Sequence, residues 1–302
     1  MRRSGFAVLV LTSCLACRLT AQQNFDTVQV RAERVAGPVW MLQGLGGNIG
    51  VSVGRDGVFL VDDEYAPLTV KIKAAIAAID SGPIRFLLNT HWHPDHTGGN
   101  ENLGKAGVLI VAQDNVRRRM STEQFSAAFN TRFPASPEAA LPVVTFSDTV
   151  TFWFNGDTTI AFHVPPAHTD GDAIIYWRHA NVVHMGDTYF NGRYPFIDLS
   201  SGGSVDGMIG AADRVLAFAD SNTRIIPGHG PLGNRASLQA YRDMLVTIRD
   251  RIRGMVRDGM SLALVQAAKP TLQFDAVWGK GRITPELLVE TVFTEINQTR
   301  RQ

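Results

Sequence analysis

Cysteine is almost absent from this chain: Cys14 and Cys17 are the only two, and both fall within the first 21 residues. If that segment is removed, no disulfide can form and no thiolate can bind a metal. Stability must then come from the core and from bound ions, and metal ligands are restricted to nitrogen and oxygen. A surplus of charge is also missing. Against 28 acidic residues stand 29 basic ones, of which Arg2, Arg3 and Arg18 lie in that same segment. Nucleic-acid-binding proteins carry a basic excess, so no nucleic-acid partner is expected. Beyond residue 21 no apolar run approaches the roughly 20 residues a membrane helix needs, so no membrane span is expected. Internal repeats and linker-like breaks are absent too, leaving a chain of 302 residues with 45% hydrophobic and 19% charged residues, a globular composition with ample core.

Residues 1–21 differ from the rest. Arg2 and Arg3 precede the apolar run from Phe6 to Leu11, and Leu19-Thr20-Ala21 has the small-residue pattern of a cleavage site. The segment reads as a secretory signal, too short for a lasting membrane helix. Leu11-Thr12-Ser13-Cys14 also resembles a bacterial lipobox, in which Cys14 would carry a lipid anchor. Release after Ala21 is the favoured reading, giving a periplasmic or secreted protein in which residues 22–302 form one domain.

In chain order, Val39 to Leu42, Ile49 to Val53 and Val58 to Val61 read as strands, with Arg55-Asp56-Gly57 as a hairpin turn. Asp62, Asp63 and Glu64 read as a solvated strand end. Pro67 opens a helix to about Asp80, Ile84 to Leu88 is a buried strand, and short helices are expected at Asn100–Lys105 and Asp114–Met120 around a strand at Val108–Val111. Arg117, Arg118 and Arg119 spread around their helix and read as solvated. Residues 121–142 show no clear period, and strands dominate from Val143 to Tyr189. Helical patterns return at 205–219, 234–257, 261–268 and 285–298.

The chemistry is concentrated in His91-Trp92-His93-Pro94-Asp95-His96-Thr97-Gly98-Gly99. It follows directly on a buried strand, and Pro94 keeps His93 extended. In an extended chain residues i and i+2 point the same way, so His91 and His93 can reach one ion. Asp95 and His96 lie beyond the bend and can face a second. Three later junctions each aim a metal-capable side chain from the end of an apolar run, beside Gly or Pro: His168, Asp187 and His229. His163, His179 and His184 read as core or turn residues, and Asp170, Asp172 and Thr169 as groups that orient ligating imidazoles.

The nine-residue stretch resembles the His-x-His-x-Asp-His signature of the metallo-β-lactamase superfamily. That resemblance implies an α+β fold, an αββα sandwich of two packed mixed β-sheets with helices on the outer faces and metals at one edge. It implies a first Zn2+ on His91, His93 and His168, a second on Asp95, His96 and His229, and Asp187 bridging both. One departure is Ala167, where many relatives have Gly. Two such ions about 3.5–4 Å apart lower the pKa of a shared water to near 7, so hydrolysis of an amide, ester or thioester of a small-molecule substrate follows without a Ser or Cys nucleophile. Asp95 is the candidate for handling a proton. Flavodiiron relatives have Glu where this chain has His93, which favours zinc over an iron pair.

For substrate, the implied choice is a β-lactam or lactone ring. Thiolate-type β-lactamases have Cys where Asp187 stands, and the bridging acid is more like glyoxalase II, lactonase and alkylsulfatase relatives. Thioester or sulfate-ester hydrolysis is therefore an alternative, although no basic C-terminal glutathione-binding pattern is evident. A mononuclear iron dioxygenase is another, but it would leave Asp95, His96 and His229 without a reason. Trp40, Trp92, Tyr189, Phe190 and Tyr194 are candidates for a partly apolar pocket.

Overall fold

Central strands that are apolar on both faces are what set two sheets face to face with helices outside them here. The computed structural model describes residues 24–299. The expected export segment, with Cys14 and Cys17, lies outside the described residues. In chain order the structure begins with β1 (Arg31–Ala36), β2 (Val39–Gln43), β3 (Ile49–Gly54), β4 (Gly57–Val61), α1 (Thr69–Ala77), β5 (Ile84–Asn89), α2 (Pro94–Thr97), α3 (Asn100–Lys105), β6 (Leu109–Gln113), α4 (Asp114–Met120), the small hairpin β7 (Gln124–Ser126) and β8 (Thr131–Phe133), and β9 (Val144–Phe146). The second half holds β10 (Thr149–Phe154), β11 (Asp157–His163), β12 (Ala173–Trp177), β13 (Val182–His184), α5 (Val205–Leu216), β14 (Arg224–Ile226), β15 (Gly233–Asn234), α6 (Arg235–Arg257), α7 (Leu262–Ala267), α8 (Leu272–Trp278) and α9 (Pro285–Thr299).

One sheet has the order β1-β2-β3-β4-β5-β6-β9 and the other β10-β11-β12-β13-β14-β15, both mixing parallel and antiparallel pairs. Phe59 and Val61 of β4 face Ile175, Trp177 and Val182 of the second sheet, while Val58 and Leu60 point the other way, onto Ile72 and Ile76 of α1. The second sheet repeats the pattern. Ile175 faces inward, and Ile174 turns outward onto a core shared with α5, α6 and α9. Because successive strand side chains point to opposite faces, each strand feeds two cores, and the order of layers is helix, sheet, sheet, helix. That is the expected αββα sandwich.

Local signals explain most boundaries. Asn155 and Gly156 adopt φ 54° and 74°, the left-handed pair that closes the β10–β11 hairpin. Asn234 caps α6 in a reciprocal pair with Ser237. Four readings need correction. Strand β1 lies outside the expected strands, because an exposed edge strand has no apolar alternation to reveal it. The helix expected from Pro67 to Asp80 is a single 3-10 turn, Ala66–Leu68, followed by the shorter α1. Residues 121–142 contain the β7–β8 hairpin and a 3-10 turn at Glu138–Ala140. Helix α8 is half exposed and too short for its period to stand out.

Strands β4, β5, β6 and β9 run parallel to one another, as do β13 and β14, so their C-terminal ends emerge together at common edges. Asp62, His91, Asp187 and His229 all follow such ends within a few residues.

Candidate metal centre

The seven predicted residues converge. His91, His93 and His168 bring one nitrogen each within 4.8 Å of one another, and Asp95, His96 and His229 form a second such group. Asp187 stands between them, with Oδ2 3.5 Å from His168 Nε2 and 3.4 Å from His229 Nε2, and Oδ1 3.1 Å from His96 Nε2. His93 Nδ1 and His168 Nε2 are 2.8 Å apart, and His229 Nε2 is 3.3 Å from Asp95 Oδ2.

Four of the five imidazoles are aimed by a partner on the other nitrogen. Asp62 accepts from His96 Nδ1 at 2.8 Å and from the Thr90 hydroxyl at 2.7 Å. With its proton committed to Asp62, Thr90 Oγ1 accepts from His91 Nδ1 at 3.0 Å, which leaves His91 Nε2 as a lone pair facing the site. His93 Nε2 donates to Asp198 at 3.0 Å, and Ser201 donates to the same oxygen at 2.6 Å. His168 Nδ1 donates to the Phe196 carbonyl at 2.8 Å. His229 is oriented instead by stacking on Phe190, with ring centroids 5.3 Å apart and planes inclined by 16°.

Two buried atoms at this point have no hydrogen-bond partner, His91 Nε2 and Asp187 Oδ1. Leaving a buried lone pair unpaired is costly, and here both point into one nitrogen- and oxygen-lined space. A divalent cation fits that donor set. The electrostatics agree. Burial pushes His91 well below its ordinary pKa, with the His96 and His168 charges adding to it, so its lone pair is free. Burial likewise takes His168 down to about 4. At Asp187 burial opposes ionisation, but the neighbouring imidazoles of His229, His96 and His168 outweigh it and hold the carboxyl well below its usual range. At His229 burial works against the proton, yet Asp187 and Asp95 raise it to about 9, and the same two with Asp62 raise His96. These carboxylates attract a proton or a metal cation to the same place.

The acidic run after β4 overturns the reading of a solvated strand end. Asp62, Asp63 and Glu64 are all buried. Strand β4 lies inside the sheet, and its end is covered by the loop at Leu45–Gly46 and by α2. Asp63 accepts from Gly99 at 2.9 Å, and Glu64 from Leu45 and Gly46 at 3.0 Å each. Asp62 and Glu64 adopt φ 63° and 56°, a conformation these hydrogen bonds hold against its cost. Asp172 acts on the backbone of the His168 loop, accepting from His168 N at 2.6 Å and from Thr169, rather than on an imidazole. Burial raises its carboxyl to about 7, against those hydrogen bonds. Asp170 does not orient a ligand but pairs with Arg119, so that arginine is not free surface. Ala167 is buried and leaves the loop hydrogen-bonded through Thr169 and Ser204. His184 uses Nε2 on the Asn48 carbonyl and Nδ1 on the Gly186 amide, and His163 and His179 bond to carbonyls, so none of the three faces the site.

Asp198, Thr90 and the Phe196 carbonyl were not foreseen. Asp198 is 105 residues from His93 and carries no local signal, whereas Asp62 had one, an acid directly after a buried strand. Beside the cluster a cavity of about 470 Å3 is lined by His93, Asp95, Asp187 and His229 and walled by aromatic rings. Of the five aromatic candidates only Phe190 and Tyr194 line it; Tyr189 and Trp92 are core, and Trp40 packs on the α1 side. Tyr65, Phe129, Phe133 and Phe196 complete the wall.

Known proteins are related to this chain in sequence or in fold. A hydroxyacylglutathione hydrolase of Erythrobacter litoralis is 29% identical over 108 residues, which is 35% of this chain and 35% of that protein. The chain thus spans about a third of this curated relative. A metallo-beta-lactamase from Pontibacter korlensis superposes with TM-score 0.59 at 19% identity, over 72% of this chain and 99% of that one. A double mutant of a sec-alkyl sulfatase superposes with TM-score 0.65 at 18% identity, over 88% of this chain and 50% of that one. At such identities these two structures share the fold. The family described as the metallo-beta-lactamase superfamily matches residues 42–248, a span that holds all seven converging side chains, and the chain therefore belongs to that superfamily.

Proposed function

We propose that the protein is a hydrolase of a small-molecule acyl bond that works with two zinc ions, one on His91, His93 and His168 and one on Asp95, His96 and His229, with Asp187 between them. The observation that carries this is the convergence of seven nitrogen and oxygen donors, two of them buried without a hydrogen-bond partner. When bound, such cations acidify water and polarise a scissile carbonyl. The chain's own part is positional. Asp62, Thr90, Asp198 and the Phe196 carbonyl fix the ring orientations before substrate arrives, so little reorganisation accompanies the reaction. Asp95 keeps 25% of its side chain exposed beside the cavity and is the carboxylate placed to take up and pass on a proton. The aromatic wall excludes water from the acyl chain.

The leading substrate class is a β-lactam or lactone ring. A second reading, thioester hydrolysis, is supported by the similarity to the Erythrobacter hydroxyacylglutathione hydrolase. A mononuclear iron enzyme is disfavoured, because Asp95, His96 and His229 form a group of their own with no part in it. Residues 1–21 are proposed to direct export, which places the activity in the periplasm or outside the cell; mass spectrometry of the processed protein finding residues 2–21 intact contradicts this. The functional test is metal analysis together with a panel of β-lactams, lactones, thioesters, sulfate esters and phosphodiesters. Two zincs per chain and turnover of an acyl substrate are expected. One iron, or fastest cleavage of phosphodiesters, overturns the reading.

A further inference from the structure

The exposed rim of the cavity carries two arginines, Arg193 and Arg282, from different parts of the chain. Their loops touch: a Cβ on Gly281 would lie 3.2 Å from Arg193 Cβ. Like charges brought together in this way repel unless a carboxylate or other anion lies between them. Arg193 and Arg282 have no carboxylate within ion-pair distance among the described residues. The acids lining the cavity, Asp95 and Asp187, belong to the histidine end. The Arg282 guanidinium instead sits over the Phe129 ring, 4.0 Å from its centroid. Among the described residues no hydrogen bond or ion pair occupies its N–H donors, the groups that pair with a carboxylate. Arg282 also lies outside residues 42–248, so it belongs to this chain's own C-terminal part rather than to the region matched by the family.

We propose that Arg193 and Arg282 form an anion subsite, and that the substrates are acyl compounds bearing a carboxylate separated by an apolar segment from the bond that is cleaved. The reacting carbonyl enters the histidine end, the apolar segment lies along the aromatic wall, and the carboxylate meets the two guanidinium groups. This deepens the hydrolase reading above and rests on it. Neutral lactones lack the second anchor, so the subsite favours ring or open-chain substrates that carry an acid.

The test uses the zinc-loaded protein and two thioesters that are identical except for a terminal carboxylate or its methyl amide. The wild type should favour the carboxylate by about tenfold or more in kcat/KM, chiefly through KM, with the preference shrinking as salt is raised. In the double variant Arg193→Ala/Arg282→Ala the ratio should fall to about one, and Arg282→Glu should favour an amine-terminated analogue. A wild-type ratio near one, or a ratio unchanged in the double variant, overturns the subsite. If neither thioester is turned over, the thioester reading fails separately, and the subsite is then judged by calorimetry with naphthalenesulfonate, an apolar anion and a poor metal ligand. Binding weakened about tenfold or more in the double variant at equal metal content supports it, and equal affinity overturns it.

Discussion

Asp62 Oδ2 lies 2.8 Å from His96 Nδ1, and through Thr90 the same carboxylate also fixes His91. One buried acid thus orients an imidazole in each of the two groups. Asn at position 62 keeps the volume but replaces one acceptor oxygen with a donor that faces either His96 Nδ1–H or Thr90. Asp62→Asn should therefore lower zinc affinity or turnover by about 10–100-fold while the chain stays folded. Zinc titration against a chelator, with circular dichroism as the control, reads this; unchanged affinity and rate would show that Asp62 only supports the loop.

Among the described residues, Asp187 is the one carboxylate within 3.5 Å of a histidine from both groups. Asp187→Asn removes the charge that offsets repulsion between two dications. The variant should retain one tightly held metal, with turnover reduced by about tenfold or more. Metal counting decides the matter: two zincs per chain with normal activity would exclude Asp187 as a ligand.

Two glycines separate the effects of site and helix. A Cβ on Gly47 would collide with the His96 ring, so Gly47→Ala should displace that ligand and lower both metal content and rate. Gly210, exposed within α5, has nothing within 4 Å of its Cβ direction. Gly210→Ala should leave metal content alone and raise stability by about 0.5–1 kcal/mol. Thermal melts and metal analysis on the pair provide the check.

Glu295 of α9 accepts from the Val205 amide at the start of α5 at 2.8 Å, and burial raises its carboxyl above the ordinary value of 4.5 despite that hydrogen bond. Its contribution to stability is present below pH 4.5, where both folded and unfolded chains hold the proton, and is lost as pH rises through the folded pKa. Glu295→Gln should match the wild type in acid and become progressively more stable than it at higher pH. A difference in melting temperature that stays constant with pH would contradict this.

The sandwich and the seven converging residues were legible in the sequence because both are written in local terms. The unbroken apolar runs of β4 and β12 mark strands covered on both faces, and strand ends followed by Pro or Gly announce His91, His168 and His229. What the sequence by itself could not supply is who holds those side chains in place. Asp62 meets His96 across 34 residues and Asp198 meets His93 across 105, and Arg193 joins Arg282 only where two distant loops touch. The acids at 62–64 read as solvated because a strand's end looks the same in sequence whether it faces water or a covering loop. Packing decides between the two: the loop at Leu45–Gly46 and the turn into α2 close over that edge, and only then do buried carboxylates acquire donors that justify their burial.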